Sequence, residues 1–132
     1  MTSPDLSKNQ PATILVVENN LLVRVFAAEI LSDAGMAVLQ AADAATAINI
    51  ISKRDVDLIF SNIGHDAETA RPLIRWIEQN RPDMPILLTS AGSDSPLVGQ
   101  YSFIAKPYRP VDLIATISKA FSEATQGKHG VP

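Results

Sequence analysis

The chain of 132 residues contains no cysteine. That absence excludes disulfides, thiolate nucleophiles and cysteine-ligated metal sites together. There is no excess of positive charge either: 11 Lys and Arg against 14 Asp and Glu leave a formal net charge of −3. So mild a balance supplies no global electrostatic reason to follow a nucleic-acid backbone. No hydrophobic run is long enough to span a bilayer, and residues 1–11 (MTSPDLSKNQP) lack the apolar stretch of a signal peptide. The expectation is a soluble, cytoplasmic protein with neither a membrane nor a nucleic-acid partner. What is present suits one globular domain: residues that are 46% apolar and 19% charged are too apolar for disorder and too charged for a membrane-embedded chain. A domain of this size hides roughly two-thirds of the surface of its unfolded chain, enough for a core.

The polar, unpatterned ends at residues 1–11 and 124–132 are expected to be flexible segments flanking a domain over residues 12–123. Within that domain short apolar runs recur, at Thr13–Val17 (TILVV) and at residues 37–39 (AVL), 57–60 (DLIF), 86–89 (ILLT) and 103–105 (FIA). Runs this short and apolar suit strands buried on both faces, as in a parallel sheet covered by helices. Helical periodicity fills the gaps. Leu22, Phe26, Ile30 and Leu31 repeat at helical spacing, and Gly35 stands where such a helix stops. Asp43 is placed to cap a second helix with Ala47, Ile48 and Ile51 on its inner face. Leu73, Ile74 and Ile77 mark a third, whose start Pro72 confines to residues 69–71. Pro110 and Asp112 open the last, with Leu113, Ile114, Ile117 and Phe121 turned inward. The remaining gap, residues 90–102 (SAGSDSPLVGQYS), carries Gly92, Pro96 and Gly99 and no helical stripe. The pattern predicts an α/β, doubly wound sheet of five strands whose fourth helix is short or absent.

Doubly wound sheets bind their ligands at the carboxyl ends of the strands, at the topological switch point. The residues there are Glu18, Asn19 and Asn20 after the first strand, Asn62 after the third, Thr89 and Ser90 after the fourth, and Lys106 and Pro107 after the fifth. Polar residues follow strands in any fold, because loops are wet. Here, however, a carboxylate, amides, a hydroxyl and an ammonium arrive together where the topology places its ligand site. A phosphate cradle for a nucleotide or flavin is missing, since residues 18–25 (ENNLLVRV) hold no glycine. His65 and His129 lack companion ligands for a metal. Ser61 is expected to point away from the site if Asn62 points toward it, Asp66 to sit in a solvated loop, and Trp76 to be a partly exposed helix residue.

Four segments in this order, ILVVENN (14–20), DLIFSNI (57–63), PILLTS (85–90) and FIAKPY (103–108), resemble the receiver domain of two-component response regulators. The resemblance covers most of residues 13–121. It implies a flavodoxin-like parallel sheet with strand order 2-1-3-4-5. It also implies an acidic pair after the first strand that holds Mg²⁺, an aspartate after the third that accepts phosphate, and a Ser/Thr and a Lys-Pro pair near the phosphoryl oxygens. By position the acidic pair falls on Glu18 and Asn19, the acceptor on Asn62, and the phosphoryl contacts on Thr89 and Lys106. Pro107 falls on the family's cis-proline and Phe103 on its switch aromatic.

The departures carry chemical consequences. An amide oxygen has no full negative charge and its lone pair is tied into resonance, so Asn62 is not expected to form an acyl phosphate. Glu18 is the one carboxylate where the family has three acids. Mg²⁺ binding is therefore expected to be weak or absent, with no cofactor, no metal site and no enzymatic activity. Lys106 is expected to pair with Glu18, or to donate to the amide oxygen of Asn62, and so fill the space an ion would need. Residues 64–69 (GHDAET) lack the family's Met-Pro-Gly run, and the stretch between Thr89 and Lys106 is several residues shorter than usual. The leading expectation is a stand-alone pseudo-receiver that signals by protein–protein contact. Its partner would be a histidine kinase, a phosphotransfer protein or another receiver. The alternatives are a phosphorelay regulator phosphorylated by an unorthodox route and a small-molecule-binding regulatory domain.

Overall fold

The computed structural model describes residues 11–63, 70–91 and 100–125. In chain order these form β1 (Thr13–Val17), α1 (Leu21–Asp33), β2 (Ala37–Ala41), α2 (Ala44–Ile51), β3 (Leu58–Asn62), α3 (Arg71–Asn80), β4 (Ile86–Ser90), β5 (Ser102–Ala105) and α4 (Pro110–Thr125). All neighbouring strands pair in parallel, in the order β2-β1-β3-β4-β5, the flavodoxin-like arrangement expected from the sequence. The expected short or absent helix after β4 falls on residues 92–99, outside the described residues. So do residues 64–69 with His65 and Asp66, residues 1–10, and residues 126–132 with His129.

Two apolar layers explain why the strands read as continuous runs. On one face Leu15, Val17, Ile59 and Leu88 pack with Ala47 and Ile51 of α2 and with Leu73 and Ile77 of α3. On the other, Ile14, Val16, Phe60 and Leu87 pack with Ala27 and Leu31 of α1 and with Leu113 and Ile117 of α4. Successive residues of each strand thus enter opposite layers, so none needs to be polar. Each fully buried Leu or Ile contributes on the order of 1.5–3 kcal/mol relative to exposure. Trp76 is half-buried against the α2/α3 layer, as expected.

The ladders run further than the apolar runs. β2 continues through Gln40 and Ala41, and β3 through Ser61 and Asn62, because backbone pairing with Val16, Val17 and Thr89 does not require an apolar side chain. Asp57 lies just before β3 instead of in it. Its N–H donates to the Thr13 carbonyl at 2.8 Å and its Oδ2 accepts the Thr13 N–H at 2.8 Å, closing the end of β1.

Caps set the helix starts. The Asn20 Oδ1 accepts the Val23 N–H at 3.1 Å at the head of α1, and the Asp43 Oδ1 accepts that of Thr46 at 2.8 Å at the head of α2. Hydrogen bonds from the Thr46 backbone and side chain to its charged form hold the Asp43 carboxyl below its ordinary range. Pro72 lies in the first turn of α3, where a missing N–H costs no hydrogen bond. The last helix extends to Thr125, two residues past the expected domain boundary.

After α1 the chain reverses at Gly35, whose φ is +94°. Its N–H donates to the Ser32 carbonyl at 3.0 Å, and the Met36 N–H donates to that of Leu31 at 3.1 Å, satisfying carbonyls the helix end would leave open. A Cβ built at Gly35 would meet no atom within 4 Å, so a side chain there carries a backbone penalty alone. Gly35→Ala should therefore lower stability by about 1–2 kcal/mol. Urea unfolding should show a lower midpoint at an unchanged slope.

Candidate functional site

The period-two alternation that builds the core also gathers the site. Val16, Phe60, Leu87 and Ile104 belong to the α1/α4 layer. Two residues further along each chain segment stand Glu18, Asn62, Thr89 and Lys106, which keep that parity. Asn62 and Thr89 are direct register partners across β3 and β4.

Lys106 is the centre of the group. Its Nζ lies 2.9 Å from Glu18 Oε1 and donates to Asn62 Oδ1 at 3.2 Å. The two bonds left as alternatives by the sequence coexist, because an ammonium has three donors. The Lys106 side chain is 22% exposed and that of Glu18 6%. Lys106 is held by its own N–H donating to the Ser90 carbonyl at 3.0 Å, and the bond that follows it, to Pro107, is cis.

Glu18 is tied down at every polar atom. Its Oε2 accepts the Asn20 N–H at 3.0 Å, its own N–H donates to the Ala41 carbonyl at 3.0 Å, and its carbonyl accepts Arg24 Nη1 at 2.9 Å. Arg24 in turn donates from Nε to Gln40 Oε1 at 3.1 Å. The structure thus connects the carboxylate to the start of α1 and to β2. Arg24 was not legible as a site residue, since its role depends on how α1 is phased over β2.

Tyr108 is a second addition. Its ring stacks on Phe26 with centroids 6.5 Å apart and meets Phe60 edge-on at 5.8 Å. It lines a cavity of about 10 Å³ together with Glu18, Asn62 and Thr89. The Thr89 Oγ1 is buried and has no hydrogen-bond partner among the described residues. A second cavity of about 20 Å³ lies beside Glu18, Asn19, Asp43 and Asn62. Each has room for about one water molecule. Asn19 itself is exposed. Phe103 is not brought to the group: it packs half-buried against the α2/α3 layer, on the opposite face. Ser61 is buried, and its hydroxyl donates to the Asn62 carbonyl at 3.1 Å.

Among the described residues no group of three Asp, Glu, His or Cys side chains converges, and both oxygens of Glu18 accept hydrogen bonds. Two open grooves share no residue with the cluster. One, about 680 Å³, lies beside β5 and the end of α4 (Met84, Tyr101, Lys119). The other, about 690 Å³, lies between α1 and α4 (Phe26, Ile30, Val111, Ile114).

Comparison with known proteins places this geometry. The family model of the response regulator receiver domain matches residues 14–118. The DNA-binding transcriptional regulator NtrC of Rhizobium meliloti (strain 1021) is 32% identical over 118 residues, 85% of this chain and 24% of that protein. The transcriptional regulatory protein GlrR of Escherichia coli K12 is 28% identical over 123 residues, 88% of this chain and 28% of that protein. The chain thus spans about a quarter of the length of these curated relatives. Among solved structures, NtrX from Brucella abortus in complex with ADP superposes with a TM-score of 0.78 at 29% identity, over 89% of this chain and 28% of that one. The chemotaxis protein CheY4 of Vibrio cholerae gives 0.76 at 24% identity, over 83% of this chain and 98% of that one, a likeness of fold.

Both described tyrosines titrate high. Burial, then the charge of Glu18, pushes Tyr108 up to about 12. Burial, then a hydrogen bond to Glu78 and its charge, pushes Tyr101 up to about 12. Below pH ~10 the phenols are protonated in folded and unfolded chains alike, so they contribute no pH dependence there. From pH ~10 to 12 the unfolded chain loses these protons first, and stability should fall as pH rises. Urea titrations across that range should show a shallower decline for the Tyr101→Phe/Tyr108→Phe double variant than for the wild type.

Proposed function

Since the chain belongs to the response regulator receiver domain family, we propose that it is a signalling module of a two-component system that acts by protein–protein contact, without aspartyl phosphorylation. The observation that carries this reading is Asn62. It ends β3, where the resemblance puts the phosphoacceptor, and its amide oxygen already accepts a hydrogen bond from Lys106 at 3.2 Å. An amide is too weak a nucleophile to attack phosphorus. The site therefore performs no chemical step, and the chain is assigned no enzymatic activity. Cavities of about 10 and 20 Å³ beside the cluster give a small-molecule effector at this site no support, being far below the volume such ligands occupy.

Contact with a histidine kinase, a phosphotransfer protein or another receiver is supported by the surface next to the cluster. Leu21, Leu22 and Phe26 of α1 and Val111 of α4 are exposed, Leu22 at 78%. Exposed large apolar residues favour a partner over water, and Phe26 and Val111 line one groove. DNA binding is a property of the whole relatives. With a net charge of −3 we assign this chain no nucleic-acid contact of its own.

Treatment with acetyl phosphate should leave the mass of the protein unchanged. Beryllofluoride, which mimics a phosphoryl group on aspartate, should leave the amide resonances of Thr89 and Lys106 in place. A beryllofluoride-dependent shift at those two residues would overturn the reading. Asn62→Asp alone should take up little label, because Asn19 still withholds a second acid. Leu22→Asp should weaken binding of a cognate kinase or phosphotransfer protein by about tenfold or more while leaving the unfolding midpoint unchanged. Unaltered affinity would remove the α1 face from the interface.

A further inference from the structure

We infer that Lys106 is the resident cation of this site: its ammonium stands in for a divalent ion and ties the ends of β1, β3 and β5 together without metal. The inference rests on the reading above in one respect, that Asn62 stands at the acceptor position.

Charge decides it first. Glu18 and Lys106 cancel, and Asn19, Asn62 and Thr89 are neutral, so the cluster is balanced as it stands. A pocket with three acids and one lysine carries two surplus negative charges, which a divalent ion neutralises. Here the same ion would introduce two uncompensated positive charges close to an ammonium, in surroundings drier than bulk water. Ligand supply points the same way. Glu18 Oε1 is taken by Lys106 and Oε2 by the Asn20 N–H that leads into α1. An ion seeking that carboxylate must displace the lysine or loosen the head of the helix. Mg²⁺ also keeps several of its waters, and the cavities beside the cluster, about 20 and 10 Å³, offer little enclosed room for them.

The ammonium performs the mechanical part of a metal's work. From one atom it reaches Glu18 at 2.9 Å and Asn62 at 3.2 Å, residues of two different strand ends, while its own backbone is held by Ser90 at 3.0 Å. Removing it would leave Glu18, 6% exposed, as a carboxylate without its countercharge, which is the costly way to break such a pair. It would also vacate the place from which a divalent ion is repelled.

Thermal unfolding and calorimetric MgCl₂ titration at constant ionic strength test this on the wild type, Lys106→Met and Lys106→Arg. The wild type should shift by less than about 1 °C between excess EDTA and about 10 mM MgCl₂. Lys106→Met should melt several degrees lower in EDTA, regain part of that loss in MgCl₂, and bind Mg²⁺ about tenfold or more tighter than the wild type. Lys106→Arg keeps the charge and should remain insensitive to the ion, which keeps the inference testable if Lys106→Met does not fold. Submillimolar Mg²⁺ binding by the wild type, a Mg²⁺-responsive Lys106→Arg, or a Lys106→Met as stable in EDTA as the wild type and equally unresponsive would each overturn it. Phosphate uptake by the wild type in the acetyl phosphate experiment instead overturns the functional reading, so the two claims fail separately.

Discussion

The arrangement at the carboxyl end of the sheet depends on one requirement: a carboxylate almost out of water must be matched. Glu18 is 6% exposed, and a charge so placed is tolerated only when paired and hydrogen-bonded. Lys106 supplies the pairing from 88 residues away. Closing a loop of that length around an ion pair alone would be entropically unfavourable, but the ordering of β1, β3, β4 and β5 has already brought the ends together. The pair therefore follows from the sheet and does not create it. Buried pairs often break even when both partners are replaced by apolar residues, whereas removing one partner alone is costly.

From Glu18 the constraint travels outward by hydrogen bonds. Through Asn20 it reaches the N-terminus of α1, because Asn20 donates its N–H to Glu18 and caps the helix with its side chain. Through Arg24 it reaches Gln40 on β2. On the opposite flank Tyr108 lies between Phe60 in the core and Phe26, which is exposed on α1. Asn20 and Tyr108 thus connect the charged cluster to the apolar face of α1. A partner that binds that face touches the first turns of the helix that Glu18 holds in place.

The strands were legible because their physical signal is strong and local, whereas their order came with the resemblance to receiver domains. A strand buried on both sides must be apolar throughout, and five such runs separated by helical periodicity leave few topologies. The caps at Asp43 and Gly35 were legible for a similar reason, since each satisfies backbone groups within four residues. The strand ends were less so: Gln40, Ser61 and Asn62 pair through their backbones, and nothing in a polar side chain announces that. In the site, the switch-point rule reached Glu18, Asn62, Thr89 and Lys106, and parity explains why they converge. Arg24 and Tyr108 were not reached. The first depends on the rotation of α1 over β2, and the second on aromatic rings arriving from three separate elements. Neither has a marker in its sequence neighbourhood.

A balanced cluster also changes what kind of switch the fold can be. A pocket with surplus negative charge responds to cations because they bind one state better than another. A ligand moves an equilibrium only by its difference in affinity for the two states. With Glu18 and Lys106 already neutralising each other, and Asn62 accepting from the same ammonium, small ions have little to discriminate between. On the proposed reading the free energy that shifts this domain must come from a larger surface, one that buries Leu22, Phe26 and Val111 in one state and fits them less well in another. Moving a two-state balance from one part in a hundred to its reverse requires about 5.5 kcal/mol of such preference. At roughly 25 cal/mol per Å² that corresponds to about 220 Å² of differential apolar burial, which a few exposed side chains on α1 and α4 are enough to supply.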